Sequence, residues 1–195
     1  MKTKKAKFYA GSLQDVFVKS RIKNMCTKVG IKNVNRLVYE EIRGILKVFL
    51  EELLEKILAV TLFYKRKTVS VNDVYMVMET HLLLKKKKIP HCKETKKMEI
   101  CLEFARTPFH RYVREICLDH LQYSKYMKKS HIQVMRFQQE AFDLIQYSME
   151  KYLLKLLYEG KLIAMNAKRE TLYPKDLKLA KSVHNVQTMS SCCYK

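Results

Sequence analysis

Residues 66–73 read RKTVSVND and residues 169–176 read RETLYPKD; in both, an Arg is followed by Thr two places on and by Asp at the seventh. The copies lie 103 residues apart in a chain of 195. A basic loop of one grammar, repeated at about half the chain length, predicts an internal duplication. The flanking sequence agrees. Upstream of the first copy, residues 37–64 hold one Gly and no Pro, and Leu37, Val38, Ile42, Ile45, Leu46, Phe49, Leu53, Leu54, Ile57, Leu58 and Val60 recur at steps of three and four. That spacing predicts one long helix of about 42 Å. Val48, Leu50, Leu62 and Phe63 widen its apolar stripe, so the helix needs partners on more than one side.

A short helix is expected between Asp15 and Val29, stopped by Gly30, and a third from Val71 to about His81 with Val74, Tyr75, Val77 and Met78 as its packing face. The order then returns. Pro108 opens a short helix carrying Phe109, Tyr112, Val113, Ile116 and Cys117, residues 138–167 form a long one, and Pro174 opens a third carrying Leu177, Leu179, Ala180 and Val183. The chain divides into a basic arm (1–12), a three-helix unit (13–81), a linker (82–105) with four consecutive lysines, a second three-helix unit (106–186) and a tail (187–195). The predicted class is all-α: short helix, long helix, short helix, twice. Neither unit buries its long helix alone, so the two are expected to pair within the chain.

Charge narrows the function. Lys and Arg number 39 against 19 Asp and Glu, a net +20, which is more than solubility requires and points to a polyanionic partner, nucleic acid first. No apolar run reaches the ~18 residues of a spanning helix, and no signal peptide opens the chain, so a soluble intracellular protein is expected. The cysteines at 26, 92, 101, 117, 192 and 193 form no CxxC pair and are expected as free thiols. His91, Cys92 and Cys101 fit no common zinc spacing, so no metal and no cofactor are expected. His110, His120, His131 and His184 have no local nucleophile or carboxylate arrangement, which argues against an enzyme.

If the two units pair head to tail, the first loop of each lies beside the second loop of the other, and their cations cluster at both ends of the pair. Arg66 can then meet Asp73, and Arg169 can meet Asp176, across the turn. Each pair either staples loop to helix only, or also holds the loop N–H groups and the Thr hydroxyl toward phosphate oxygens.

Residues 37–78 (LVYEEIRGILKVFLEELLEKILAVTLFYKRKTVSVNDVYMVM) closely resemble the second and third helices of histone H-four, and residues 107–181, through PFHRYVREI, RFQQEA and AMNAKRETLYPKDLKLAK, resemble histone H-three. Order and fusion resemble the histone doublets of large double-stranded DNA viruses such as the Marseillevirus group. The resemblance implies two histone folds paired as a handshake dimer, wrapping and compacting duplex DNA without sequence specificity in nucleosome-like particles. It also implies a place in the virion and in the viral factory or nucleus of an infected cell. The DNA-facing positions it implies are Lys32, Lys65, Arg66, Lys67 and Thr68 in the first unit and Arg111, Arg114, Arg136, Lys168, Arg169 and Thr171 in the second. Arg136 matches an arginine that enters the minor groove; Asn33 stands where the first unit would have its counterpart. Residues 120–135 lengthen the second unit's first loop by about eleven residues relative to the family, as added DNA contacts through Lys125, Lys128 and Lys129 or as a simple extension of the preceding helix, and the long Gly/Lys-rich amino tails of the family have no match here.

Ile163, Asn166, Asp176, Leu179 and Val183 match the positions through which two copies of histone H-three join as a four-helix bundle. The implied partners are therefore duplex DNA, a second copy of this chain and a companion doublet of the H-two-B/H-two-A type, with no membrane. Two alternatives remain at this point. A histone-fold transcription or replication factor subunit would act mainly through protein partners and should have neutral or acidic loops. A basic membrane-surface or capsid-scaffolding protein would have no need of the repeated Arg-Thr-Asp loops.

Overall fold

The computed structural model describes residues 13–81, 102–123 and 136–190. In chain order the elements are α1 (Leu13–Val16), α2 (Lys19–Val29), β1 (Asn33–Val34), α3 (Arg36–Phe63), β2 (Thr68–Val69), α4 (Val71–His81), α5 (Arg106–Tyr123), β3 (Arg136–Phe137), α6 (Gln139–Asn166), β4 (Thr171–Leu172) and α7 (Pro174–Ser190). The long helices α3 and α6 both have 28 residues, and each is followed by a two-residue strand and a third helix.

The two halves share one core. Broad apolar stripes on α3 (Ile42, Leu46, Leu50, Leu53, Ile57) and α6 (Ile145, Met149, Leu153, Leu157) are buried together with Phe17, Phe109, Val74 and Leu177. Near the midpoint of both long helices Phe49 stacks on Tyr152, with ring centroids 4.3 Å apart and planes 9° from parallel. The ends of the helices then bring the loops together in two parallel strand pairs. Asn33 and Val34 pair with Thr171 and Leu172; Thr68 and Val69 pair with Arg136 and Phe137. The head-to-tail juxtaposition expected from the repeat is present at both ends.

Three details differ from the sequence reading. The helix expected over Asp15–Val29 is two helices, because the chain breaks at Phe17 and Val18. Phe17 is fully buried, edge-on to Phe104 (5.3 Å) and Tyr112 (6.1 Å), and its carbonyl accepts from the Arg43 Nε at 3.0 Å. Arg43 is itself buried and paired with Glu40 at 2.7 Å, so the break is held by tertiary contacts without Gly or Pro. The linker assigned to 82–105 ends early: Phe104 is in the core, and the backbone N–H groups of Glu103 and Phe104 donate to the buried Glu150 carboxylate at 3.0 to 3.1 Å. Last, α7 continues to Ser190, beyond the boundary placed at 186.

Contacts between halves also run outside the core. The Lys161 Nζ on α6 donates to the Val29 carbonyl at 3.0 Å, placing a cation at the C-terminus of α2, where the helix dipole favours it. Lys28 pairs with Glu103, and Lys178 on α7 lies 3.7 Å from Glu41 on α3. Among the described residues no helix is long and apolar enough to cross a membrane, and no group of His, Cys, Asp or Glu is arranged to hold a metal ion. Cys26 and Cys117 are buried free thiols, and burial pushes them up to about 11 and about 12; the other four cysteines lie outside the described residues.

Truncating the ring at the crossing of the long helices should cost the pair more than an ordinary surface change does. Phe49→Ala is expected to lower unfolding free energy by about 3–5 kcal/mol, with both halves unfolding in one transition. Chemical denaturation followed by circular dichroism measures it. A loss under ~1 kcal/mol, or two separate transitions, would show that the halves are not held at this crossing.

Candidate nucleic-acid interface

The repeated loops are built alike, atom by atom. Each long helix ends with a Lys in the left-handed conformation, Lys65 at φ 53° and Lys168 at φ 54°. The Lys65 N–H donates to the Leu62 carbonyl at 2.8 Å and the Arg66 N–H to the Thr61 carbonyl at 3.1 Å; Lys168 to Met165 (2.8 Å) and Arg169 to Ala164 (3.0 Å) repeat the pattern. This closure normally calls for Gly, and a side chain there costs about 1 kcal/mol. Both loops instead carry an exposed cation at the turn.

The next residue is the staple. Arg66 donates to Asp73, whose other oxygen accepts from the Ser70 N–H and hydroxyl at 2.9 Å; Arg169 donates to both oxygens of Asp176 at 2.8 and 3.2 Å, and the Tyr173 N–H donates to it at 2.9 Å. Each Asp therefore closes the first turn of its own helix and fixes the preceding loop at once. Asp73 is 1% and Asp176 2% exposed. Each guanidinium also lies over a Tyr ring, Arg66 over Tyr64 at 5.0 Å and Arg169 over Tyr173 at 5.1 Å. The staple expected from the Arg-to-Asp spacing is present in both loops.

Burial pushes the Asp176 carboxyl up, but the hydrogen bonds from Arg169 and the Tyr173 N–H, with the charges of Arg169 and Lys175, hold it below the ordinary carboxylate value. Arg169 is held above its ordinary value by the same hydrogen bond to Asp176.

Around the staples the loops present Lys65, Lys67, Lys168 and Arg136 to solvent, with Thr68 and Thr171 half-buried in the strand pairs. Cross-loop hydrogen bonds hold the arrangement. Arg136 N–H donates to the Lys67 carbonyl (2.9 Å), Gln138 N–H to Val69 (3.2 Å), Asn35 N–H to Leu172 (3.1 Å), and the Val71 N–H at the start of α4 to the Gln138 Oε1 (3.2 Å). One pair of loops thus unites Lys65, Arg66, Lys67, Thr68 and Arg136. The other unites Lys32, Lys168, Arg169 and Thr171.

Arg111 and Arg114 lie on α5, both exposed, with the Arg114 guanidinium 5.1 Å over Phe142, whose ring stacks on Phe137 of β3 at 4.7 Å. Of the five positions expected to join two copies, Leu179 (52% exposed), Val183 (45%) and Asn166 face solvent, and Ile163 is half-buried. Asp176 does not face outward, because its carboxylate is taken up by Arg169 and Tyr173. Most of the lengthened loop at 120–135 lies outside the described residues, as do His91, Cys92, Cys101 and His131; α5 itself runs to Tyr123.

Sequence reasoning missed the Glu150 anchor of residues 103–104 and the cations Lys19, Lys23 and Arg36, which line a cavity beside Lys32 and Thr171. Arg36 opens a long helix with no periodic or motif signal, and only the register of β1 against β4 brings it to the loop edge.

Comparison with known proteins agrees with this architecture. Residues 85–182 match the core histone domain, the domain shared by histones H-two-A, H-two-B, H-three and H-four, and the chain belongs to that family. It is also similar in structure to the histone from Methanopyrus kandleri, with a TM-score of 0.57 and 15% identity, over 83% of this chain and 90% of that one. That share exceeds either half, so the likeness takes in both. The fold is two histone folds paired in one chain as a handshake dimer, and the chain is histone-like and DNA-binding in character.

The staple gives a pH-dependent prediction. Because folding lowers the Asp176 pKa, its contribution is full above the unfolded carboxylate value and is lost as pH falls through the lower folded value. Asp176→Asn should lower the melting temperature at neutral pH, and the gap to the parent should close as the medium is acidified below the carboxylate range. A gap independent of pH would show that the charge of Asp176 contributes nothing.

Proposed function

We propose that the chain is a histone doublet, an H-four-like half (13–81) joined by a basic linker (82–102) to an H-three-like half (103–190), that wraps and compacts double-stranded DNA in nucleosome-like particles of a viral genome. The observation that carries this reading is the pairing of the basic loops across the two halves at both ends of the long helices. Backbone N–H groups, Thr hydroxyls and Lys/Arg side chains are held together there on a rigid frame, which suits phosphate contacts that position a duplex without reading its bases. Lys32, Lys65, Lys67, Lys168 and Thr171 serve the phosphates, with Arg66, Arg169 and Thr68 beside them and Arg111 and Arg114 on the flanking helix. Arg136 supplies the guanidinium for a narrowed minor groove.

Fusion fixes one-to-one stoichiometry and replaces bimolecular pairing with an effective concentration of about millimolar. Two copies join through α7 and the end of α6, where Leu179 and Val183 are exposed apolar side chains in a single copy. Asn166 adds a neutral amide there that brings no titrating charge of its own, so the contact should respond less to mild acid than a His–Asp contact would. A companion doublet of the H-two-B/H-two-A type completes the particle, in the virion and in the viral factory or nucleus of the host cell.

Binding to mixed-sequence duplex should be tight at low salt and fall by about 10³–10⁵ between ~50 and ~200 mM, as expected for six to ten phosphate contacts. A flat salt response, or strong preference for one short motif, would reject the architectural role. Leu179→Glu with Val183→Glu should leave helix content and DNA affinity of the single copy intact but abolish association of copies on DNA, because it places charge in the contact. Light scattering and nuclease protection read this together, and unchanged assembly mass with unchanged protected length would reject the interface.

A further inference from the structure

The repeat allows the two loop edges to be compared position by position. At one edge Arg136 pairs with Thr68; at the other the equivalent residue, Asn33, pairs with Thr171. Three residues further on the exchange is reversed, since α3 begins with Arg36 and α6 with Gln139. The positive charge absent from strand β1 reappears at the first residue of the long helix.

Its surroundings differ accordingly. A cavity of about 390 Å³ lies beside β1 and β4, and its lining includes Lys19, Lys23, Lys32 and Arg36 with Asn33 and Thr171. No carboxylate lines it, and all four cations are exposed. Among the described residues none of the four forms an ion pair; Lys19 instead lies 5.1 Å over the Tyr39 ring. Four like charges from α2, the first loop and α3 converge on one space, and their mutual repulsion is relieved only by an anion.

We infer that this edge holds a DNA backbone phosphate in the cavity, with Arg36 as its main ligand, in place of a side chain inserted into the minor groove. This rests on the proposed DNA-binding role and assigns the two edges different modes. The planar guanidinium of Arg36 can take two phosphate oxygens at once, Lys19, Lys23 and Lys32 neutralise the remaining charge, and the Thr171 hydroxyl has a partner to donate to. Asn33 is neutral and gains nothing from the enhanced negative potential of a narrow groove. Groove-width preference therefore belongs to the Arg136 edge alone, while the Arg36 edge contributes counterion release without preference among sequences.

The test uses the full chain and two duplexes of equal length, one with an A-tract and one of mixed sequence, with affinity followed against salt by fluorescence anisotropy. Arg36→Ala should weaken both duplexes several-fold at moderate salt and flatten the log–log salt slope by about one unit, with the A-tract preference unchanged. Arg36→Lys should keep the slope but recover only part of the affinity, and Lys47→Ala, an exposed charge at the middle of α3, should change neither. Arg136→Ala should remove the A-tract preference. Adding Asn33→Arg to Arg36→Ala should restore affinity and increase that preference. An Arg36→Ala slope equal to that of Lys47→Ala overturns the inference while leaving salt-dependent binding intact; a parent chain with no salt-dependent binding overturns the DNA-binding role and this inference with it.

Discussion

The crossing of α3 and α6 is the constraint on which the rest of the molecule depends. Both helices have 28 residues and meet near their midpoints, where Phe49 stacks on Tyr152. Equal arms leave the ends level, so each end of one helix delivers its loop to the opposite end of the other. The two parallel strand pairs follow from that geometry, being too short, at two residues each, to organise anything alone. Sliding one helix by a turn would move its ends by about 5.4 Å and break both strand registers.

On this frame the charge acquires a pattern. Each loop spends one Arg internally, on Asp73 or Asp176, and leaves its Lys residues in solvent. The stapled Arg is already oriented by its Asp and its Tyr ring, so contact with a phosphate would require little further ordering. Bringing like charges together destabilises the free protein, and a polyanion removes that cost on binding. Cations from both halves thus meet where two loops pair, which is an arrangement suited to a duplex running past both ends.

Much of this was legible in the sequence, for identifiable reasons. The long helices were visible because apolar residues recur at helical steps without Pro, and the staples because Arg-to-Asp spacing is local. The break at Phe17 was not visible, since it depends on Arg43, Phe104 and Tyr112, all distant in sequence. Nor was the docking of residues 103–104, which depends on a carboxylate buried in the second long helix. Asp176 was legible as a staple but was also expected at a surface; a carboxylate that accepts three hydrogen bonds within its own loop is withdrawn from it. Arg36 became meaningful only once the strand register set Asn33 opposite Thr171 and Arg136 opposite Thr68.

The central claim is that paired loops from the two halves form the DNA-binding edges. Hydrogen exchange of the full chain, free and bound to a mixed-sequence duplex, tests it most directly. New protection should concentrate in residues 31–36 with 168–173 and in residues 65–70 with 136–138, the two edges gaining together. Protection confined to one half, or spread over the helix faces with both loop pairs unchanged, would contradict it.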